Sequence, residues 1–262
     1  MEYEKWDEVL APYNNAVEEL KVKFKNIRKE FLTKGEYSPI EFVTGRTKKI
    51  ASIVSKAKRL NIQDIEAEME DIAGIRIMCQ FVEDIYNIVN LIKSRSDMSI
   101  VYEKDYIKNF KDSGYRSYHV IIKYTVNMVD GAKDILAEFQ IRTLAMNFWA
   151  TAEHSLNYKY KQHIPEEIKV KLKKAADAAF ELDQQMLEIK DEIKDAQKLF
   201  EVKSDIISSI MNNILTLISL GKVAEATRYE VLLNRLIEEG EVWELNNLLD
   251  ITKKDLERYK DN

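Results

Sequence analysis

A ten-residue segment, KDSGYRSYHV at 111–120, carries polar and aromatic side chains where an ordinary strand alternates apolar with solvated residues. In an extended strand Tyr115, Ser117 and His119 share one face, and the residues between them share the other. A tyrosine in this position could stack on a nucleotide base. The alternation therefore raises two alternatives, a face that meets water or a face that meets a ligand.

Two carboxylates lie at strand positions that are far apart in the sequence. Asp71 stands at the start of a predicted strand in EDIAGIRIM, where a lone aspartate is usually a cap or turn residue. Glu138 shares a strand face with Gln140 and Arg142 in LAEFQIRT, and that face either meets solvent or lines a site in a sheet covered on both sides. If the two carboxylates meet, they could share a Mg²⁺ ion that bridges phosphate oxygens during phosphoryl transfer.

A basic stretch precedes the first of these carboxylates. Lys48, Ser52 and Lys56 are four residues apart, so a helix would align them on one face. Such a row suits the charge of a triphosphate, although taken alone it is more simply a solvated basic helix. Arg46 and Arg76 are flat cations that can stack on a purine ring. The chain has no P-loop and no G-x-G-x-x-G segment, so side chains would have to hold any phosphate.

Length and composition limit the classes of protein that could carry this chemistry. The chain has 262 residues, 45% hydrophobic and 32% charged, and its 7 glycines and 3 prolines argue against an all-β sandwich. A net charge of −5 gives no general attraction to nucleic acid or to an anionic membrane, so neither is expected as a partner. The one cysteine, Cys79, excludes an intramolecular disulfide and is expected to be a buried core thiol. No signal peptide or membrane span is recognisable, which predicts a soluble, cytoplasmic protein.

The elements that must position these residues follow from the hydrophobic periodicity. It predicts an α/β (α+β) unit over about the first 160 residues and a helical part after Pro165, with breaks near Gly221 and Gly240. The predicted elements of the first part are helices at 1–33, 46–60 and 83–95 and from about 143, an acidic turn or short helix at 64–71, and strands at 74–79, 98–108, 116–127 and 134–142.

Five segments occur together in this chain: TGRTKKIASI, EDIAGIRI, GYRSYH, EFQIRT and NFWATAEH. In this order and spacing they resemble the synthetase domain of the RelA/SpoT family, and over residues 1–200 the chain is most similar to small alarmone synthetases of the RelQ type. The resemblance implies a nucleotidyltransferase-like fold, with a mixed sheet of about five strands flanked by helices and helical N- and C-terminal extensions. It divides the chain into a synthetase domain at 1–160, its C-terminal helices at 161–200, and a tail at 201–262 that has no recognised counterpart.

The resemblance implies an enzyme, a GTP/GDP pyrophosphokinase that uses Mg²⁺. Members of the family move the β,γ-diphosphate of ATP to the ribose 3′-hydroxyl of GDP, GTP or GMP, which yields AMP and the alarmones of the stringent response, ppGpp, pppGpp or pGpp. Matched to the family's motifs, Asp71 and Glu138 would hold Mg²⁺, and Glu138 would also take the proton from the 3′-hydroxyl. The ATP-binding residues would be Arg46 and Arg76 around the adenine, and Lys48, Ser52 and Lys56 on the phosphates.

The resemblance also implies how the acceptor nucleotide is bound. Tyr115 would stack on the guanine and His119 would contact the acceptor's phosphates. Lys111, Gln140 and Arg142 would support that side of the site.

RelQ-type members further imply a homotetramer with an effector site between subunits for a guanosine 3′-diphosphate product. The apolar stripes on the first and last helices, wider than one face of a small sheet can cover, also favour packing between chains. Without the family, the cations of the first helix would be interpreted as an exposed, solvated row. The positions that would line the effector site are Lys21, Lys25 and Arg28 on the first helix, Glu41, Phe42 and Thr44 after it, and Asn147 from a neighbouring subunit.

Other interpretations follow from the same residues. A catalytically silent guanine-nucleotide sensor would need a damaged metal pair, and a nucleotidyltransferase would typically show a Gly-Ser pair, which is absent from this chain. The hydrolase of the longer family members is not expected, because the histidines are only His119, His154 and His163. Helix packing most simply explains an apolar stripe in the tail, although a role in assembly or partner binding stays open. That stripe is Ile206, Ile207, Ile210, Ile214, Leu217 and Ile218.

Overall fold

The computed structural model describes residues 3–159 and 165–260. The chain divides into two compact units, residues 1–187 and 188–262. In chain order the elements are α1 (Tyr3–Thr33), β1 (Phe42–Thr47), α2 (Ile50–Leu60), α3 (Ile65–Glu68), β2 (Ala73–Cys79), α4 (Val82–Lys93), β3 (Ser99–Asp105), β4 (Tyr118–Met128), β5 (Gly131–Thr143), α5 (Leu144–Lys159), α6 (Glu166–Ser219), α7 (Val223–Glu239) and α8 (Val242–Lys260).

The first unit is built on one five-stranded sheet in the order β1-β2-β5-β4-β3. The central strand β5 runs parallel to β2, and the other neighbouring pairs are antiparallel. In this register Gly74 lies beside Glu138 and Arg76 beside Gln140, so two neighbouring strands bring predicted site residues together. The mixed sheet flanked by helices confirms the predicted fold class.

Helix α1 packs along the sheet through its apolar stripe. Phe24 is fully buried, and its ring meets the Phe139 ring edge-on with 5.0 Å between centroids. The helix runs so close to β1 that a Cβ on Gly45 would lie 2.9 Å from both Val17 Cγ1 and Lys21 Cδ. Glycine is therefore what permits the close approach. Most of the apolar residues of the α1 stripe are buried within the first unit. The expectation that this stripe is too wide for the sheet to cover was therefore wrong for α1.

Strand β1 is the element that the sequence prediction missed. The pattern predicts a helix from about residue 46, whereas the structure has a strand at Phe42–Thr47 and begins α2 at Ile50. The segment is short, contains a glycine and lies at the edge of the sheet. Its extended conformation depends on pairing with β2 and on cover from α1, and both are tertiary contacts that local propensity does not report.

The second unit has an apolar core of its own, formed by the last part of α6 with α7 and α8. Within the tail stripe, Ile207 is partly buried and Ile218 is 45% exposed. Helix packing therefore explains most of that stripe, as the sequence suggested. The stripe residues buried in this core are Ile206, Ile210, Ile214 and Leu217.

Two further expectations concern burial. Cys79 is fully buried, and burial raises the pKa of its thiol, as expected for a core cysteine. In the described ranges no helix combines the length and the apolar character that crossing a bilayer requires.

Candidate active site

A cleft opens along β1, β2 and β5 and gathers side chains from segments that are distant in sequence. It adjoins a hollow that shares Asp71, Arg76 and Gln140 with it and extends toward Tyr115 and Arg142. The residues predicted to bind ATP and those predicted to bind the acceptor therefore line neighbouring parts of one surface. The cleft itself is lined by Thr44, Gly45, Arg46, Lys48, Asp71, Gly74, Arg76, Glu138 and Gln140.

Asp71 lies just before β2 and is held by two lysines. Lys48 Nζ donates to Asp71 Oδ2 at 2.7 Å, and Lys56 Nζ lies 2.9 Å from Oδ1. Burial acts to raise the pKa of Asp71, but the two ammonium groups outweigh it and leave that pKa below its ordinary value. Asp71 is therefore an anion. Its Oδ1 is buried and faces Lys56 Nζ, so each of the two carboxylate oxygens is paired with one ammonium group.

Glu138 faces the same cleft from the central strand. Its Oε1 lies 2.7 Å from His119 Nδ1, and its Oε2 accepts from Gln140 Nε2 at 2.8 Å. Burial acts to raise the pKa of Glu138, yet the hydrogen bonds from His119 and Gln140 leave it lowered overall. Since an ionised carboxylate can only accept, the proton in the 2.7 Å contact belongs to His119 Nδ1.

A chain of hydrogen bonds connects the acceptor-side residues to Glu138. Arg142 Nη2 donates to Tyr115 Oη at 2.6 Å, and Tyr115 Oη lies 2.8 Å from His119 Nε2. Because His119 donates through Nδ1 to Glu138, its second ring nitrogen, Nε2, makes the contact with the tyrosine hydroxyl. Arg142 Nη2 also donates to Gln140 Oε1 at 2.9 Å. The polar face predicted from the alternation is therefore a buried network that faces a cleft, not a face open to water.

Helix α2 contributes less than the sequence predicted. Lys48 precedes the helix and Lys56 lies within it, yet both ammonium groups reach Asp71. Ser52 is exposed in the first turn, where its backbone N–H donates to the Lys49 carbonyl at 2.8 Å. The structure thus brings the two lysines to Asp71, whereas Ser52 is not among the residues that line the cleft.

Three residues beside His119 were not singled out from the sequence: Tyr102, Lys104 and Tyr106. Lys111 Nζ lies 4.7 Å from the ring centroid of Tyr106 and 5.0 Å from that of Tyr115. Tyr102 and Lys104 line a small hollow beside His119, which Glu138 and Lys111 also line. They reach it through the antiparallel pairing of β3 with β4. The alternation of aromatic and cationic residues in VYEKDY was the available signal.

Helix α5 lines the acceptor side of the cleft as well. Glu153 and His154, from the segment NFWATAEH, border the hollow that contains Tyr115. Glu153 Oε1 accepts a hydrogen bond from Asn157 one turn later. His163 lies outside the described residues.

The positions predicted for an effector are distributed over α1 and β1. Lys21 pairs with Glu18 at 2.8 Å, and Arg28 Nε donates to the Ile40 carbonyl at 3.0 Å. Lys25 is exposed. The remaining positions are Glu41, which accepts from Gln80 Nε2 at 2.9 Å; Phe42, which is 41% exposed; Thr44, which lines the cleft; and Asn147, whose Oδ1 is buried and accepts no hydrogen bond from a described residue.

The sequence and the structure of this chain are both similar to those of known proteins. Residues 45–163 match the model of a region found in RelA / SpoT proteins. The GTP pyrophosphokinase YjbM of Bacillus subtilis is 52% identical over 204 residues, which cover 78% of this chain and 97% of that protein. The crystal structure of small alarmone synthetase 1 from Bacillus subtilis bound to its product pppGpp aligns with a TM-score of 0.70 at 53% identity, covering 72% of this chain and 98% of the other. The same synthetase bound to AMPCPP aligns with a TM-score of 0.65 at 49% identity, covering 73% and 98%.

Proposed function

The chain belongs to the RelA/SpoT family and is a small alarmone synthetase, a GTP pyrophosphokinase, and from this premise we propose that the cleft around Asp71 and Glu138 is where the β,γ-diphosphate of ATP passes to the 3′-hydroxyl of a guanine nucleotide. One observation carries the proposal: two ionised carboxylates line one cleft with Arg46, Lys48 and Arg76. Anions and cations in that arrangement suit polyphosphate transfer, which depends on positioning and charge neutralisation. We expect the enzyme in the cytoplasm, where both substrates are present.

The cation cluster supports an ATP site on the β1 side. Burial lowers the pKa of the Arg76 guanidinium, and the neighbouring charges of Arg142 and Arg46 lower it further. Guanidiniums this close repel one another until an anion joins them, so the cluster favours binding of a polyphosphate. In the proposed assignment Arg46 and Arg76 stack on the adenine. Lys48 and Lys56 contact the ATP phosphates, with Ser52 at the margin.

The two carboxylates fit a divalent cation, and we propose Mg²⁺. Hard cations of this kind take oxygen ligands, and Asp71 offers two carboxylate oxygens, each of which faces a lysine ammonium group in this structure. Glu138 lies in the same cleft. When bound, Mg²⁺ would neutralise charge on the phosphate oxygens. Lys48 and Lys56, which neutralise Asp71 in the structure, are then available to the phosphates.

Glu138 is proposed to take the proton from the 3′-hydroxyl. The hydrogen bonds from His119 and Gln140 keep the carboxylate ionised and fix its orientation, which a general base requires. The acceptor is proposed to stack on Tyr115 and to meet His119, Lys111, Gln140 and Arg142 through its polar groups. GDP, GTP and GMP are all proposed acceptors, in keeping with the pppGpp found in the Bacillus subtilis synthetase.

Product analysis tests this function directly. Purified protein is incubated with ATP, Mg²⁺ and GDP, GTP or GMP, and the nucleotides are identified by mass. AMP together with a guanosine that has gained a 3′-diphosphate is expected. Release of pyrophosphate would identify a nucleotidyltransferase, and absence of turnover would identify a silent binding module. Persistence of the product on prolonged incubation is expected, since no hydrolase activity is proposed.

We also propose that the protein is a homotetramer, with contacts between copies made in part by α6. Ile189, Ile193, Ala196 and Phe200 follow one another at intervals of four, three and four residues, the spacing of a coiled-coil seam. All four are exposed, and Phe200 is 73% exposed. A second copy of the same helix would cover this seam. Light scattering is expected to give the mass of a tetramer for the wild type and a lower mass for Ile193→Glu, whereas the control Val231→Glu, also at an exposed position, should stay tetrameric.

An effector site for the alarmone product, lined by the α1 and β1 positions above, is the last part of the proposal. Lys25 is exposed and lies outside the cleft, so it separates effector binding from catalysis. Titration of the pentaphosphate product is expected to activate the wild type and to activate Lys25→Ala less. Equal activation of the two proteins would rule out this assignment.

A further inference from the structure

Arg116 is the buried cation of the GYRSYH segment, and the proposed chemistry gives it no role. It is 7% exposed and lies in the segment just before β4. Burial of a guanidinium away from the cleft is costly unless its donors find partners. Those partners indicate what the residue does.

The guanidinium bridges the segment before β4 to helix α6. Arg116 Nη1 donates to the Gly114 carbonyl at 3.2 Å and to the Ala176 carbonyl at 3.4 Å. Nη2 donates to Asp177 Oδ1 at 3.0 Å. Asp177 is half-exposed, so this ion pair alone contributes little to stability. The bridge between two backbone carbonyls, one on each segment, is the specific part of the contact.

Two aromatic rings also contact the Arg116 guanidinium. The guanidinium carbon lies 4.5 Å from the Phe110 ring centroid and 4.6 Å from that of Phe180. Phe110 precedes the segment and Phe180 belongs to α6, so this contact also spans the junction. Cation–π contacts of a desolvated arginine favour one fixed position for the head group.

The backbone at Gly114 is shaped for the same junction. Its φ of +87° lies in the left-handed region, and a Cβ there would lie 2.6 Å from Ala176 Cβ. Gly114 N–H donates to the Lys111 carbonyl at 2.7 Å, and Lys111 N–H donates to the Tyr115 carbonyl at 3.3 Å. The tight turn that carries Lys111 and Tyr115 is therefore pressed against α6 and locked there by the next residue in the chain.

We propose that Arg116 is a positioning residue for the acceptor nucleotide: it fixes the 111–117 turn on helix α6 and thereby presents Tyr115 and Lys111 to the guanine nucleotide. The inference rests on the proposed function, which assigns the acceptor to those two residues. Tyr115 also packs on the cluster of Trp149, Ala150 and Ala176, so a shift of the turn would move its ring relative to the cleft. Arg46 and Lys48 of the ATP side come from other elements and keep their places.

The test compares Arg116→Lys and Arg116→Ala with the wild type by steady-state kinetics in which GDP and ATP are varied separately. Lysine keeps the positive charge but lacks the several N–H donors and the planar surface of the guanidinium, so both variants should be impaired. We expect kcat/KM for GDP to fall by about 10- to 100-fold, the range for a small misplacement of a binding group. KM for ATP should stay within about twofold of the wild-type value, well inside that range.

A rescue experiment separates positioning from a general loss of stability. Free guanidinium can enter the space left in Arg116→Ala and donate to the same carbonyls. Guanidinium chloride at low millimolar concentration should restore part of kcat/KM for GDP, whereas equal concentrations of sodium chloride should not. Asp177→Asn, which leaves the two carbonyl contacts in place, should fall between Arg116→Lys and the wild type.

Two outcomes would overturn the proposal: equal losses for GDP and ATP without rescue by guanidinium, or unchanged GDP kinetics in Arg116→Lys. If Arg116→Ala does not fold, the comparison of kcat/KM for GDP with KM for ATP in Arg116→Lys and Asp177→Asn still tests the proposal. If the wild type forms no transfer product, the proposed function fails, and calorimetric titration of GDP into the wild type and Arg116→Lys still tests positioning. Equal GDP affinity of those two proteins would then contradict it.

Discussion

The two compact units of this chain differ in what they bury. In the first unit, charged side chains are enclosed: Arg116 and Arg142 are buried, and Glu138 is 13% exposed. In the second unit, as far as the chain is described, the core is apolar and Thr252 is its buried polar residue, with its hydroxyl accepting from Asn213 and donating to the Leu249 carbonyl. A buried charge costs stability unless it is fully partnered, whereas an apolar core contributes stability directly.

The contrast indicates that the first unit contains the residues of the proposed reaction. The hydrogen-bond chain from Arg142 through Tyr115 and His119 to Glu138 gives little net stability, yet it fixes the proposed general base and the ring proposed to stack on the acceptor base. The second unit contains no comparable network in its described residues. Substitutions in the first unit should therefore change turnover more than folding, and substitutions in the second should do the reverse.

Loss of the proposed general base is expected to have the largest effect, a fall in turnover without a loss of folding. Glu138→Gln keeps the shape of the side chain and can still meet Gln140 and His119, so the fold should survive. Turnover should fall by about 10²- to 10⁴-fold, the usual range for removal of an acid–base group. AMP formation from ATP and GDP measures it, with circular dichroism as the check on folding. Activity within about threefold of wild type, far outside that range, would rule out this role for Glu138.

A cavity in the second core gives the converse effect. Ile210 is fully buried there, so Ile210→Ala should lower the free energy of unfolding of that unit by about 2–5 kcal/mol. Synthetase activity at low temperature should stay close to wild type. Urea unfolding followed by circular dichroism measures the change, and Met211→Ala, at a neighbouring exposed position, is the matched control. A loss of activity as large as the loss of stability would remove the contrast between the units.

Truncation of the stacking ring is expected to have a smaller, selective effect. Tyr115→Ala should lower kcat/KM for the acceptor by about tenfold, because stacking of one base is worth about 1–3 kcal/mol. Tyr115→Phe keeps the ring and loses the hydroxyl that meets Arg142 and His119, so its loss should be only a few-fold. Kinetics with GDP and ATP varied separately measure both variants. Equal damage to KM for ATP would show that the ring serves another site.

The smallest expected effect concerns a buried carboxyl outside the cleft. Burial raises the pKa of Asp183 to about 6 from 3.8, although the hydrogen bond from Thr143 partly opposes the rise. A carboxyl with a raised pKa binds its proton more tightly when folded, so its contribution to stability is lost as pH increases from 3.8 to about 6. Asp183→Asn should therefore stabilise the protein by about 1–2 kcal/mol at neutral pH and hardly at all near pH 4.

Thermal unfolding across that pH range measures the difference between Asp183→Asn and the wild type. Asp195→Asn, on the same helix and exposed, should leave the profile unchanged. A destabilised Asp183→Asn at neutral pH would mean that the carboxylate is needed in its ionised form.

The sequence was informative where a local pattern and a site coincide. Alternation along LAEFQIRT was sufficient to place Glu138, Gln140 and Arg142 on one strand face, and the structure joins them in one network. The strand predicted at 74–79 from the apolar run GIRIMC was equally clear, because such a run is a local signal.

The rest depends on contacts that no local pattern reports. Strand β1 exists because β2 pairs with it, and Tyr102 and Lys104 reach the hollow beside His119 through pairing of β3 with β4. The alternation placed Arg116 only on the strand face opposite Tyr115, whereas its contacts are with helix α6, which follows about 60 residues later in the chain. In each case tertiary structure decides the environment of a residue whose type alone allows several.

The central claim is that Asp71 and Glu138 transfer an intact diphosphate in this cleft, and labelled ATP tests it most directly. ATP that carries one isotope in the β-phosphorus and another in the γ-phosphorus is incubated with Mg²⁺, GDP and either wild type or Asp71→Asn, and the guanosine product is analysed by mass. The account predicts both labels together on the 3′-position with wild type, unlabelled AMP in equal amount, and almost no transfer with Asp71→Asn. A guanosine with one label only, label released as pyrophosphate, or undiminished transfer by Asp71→Asn would contradict it.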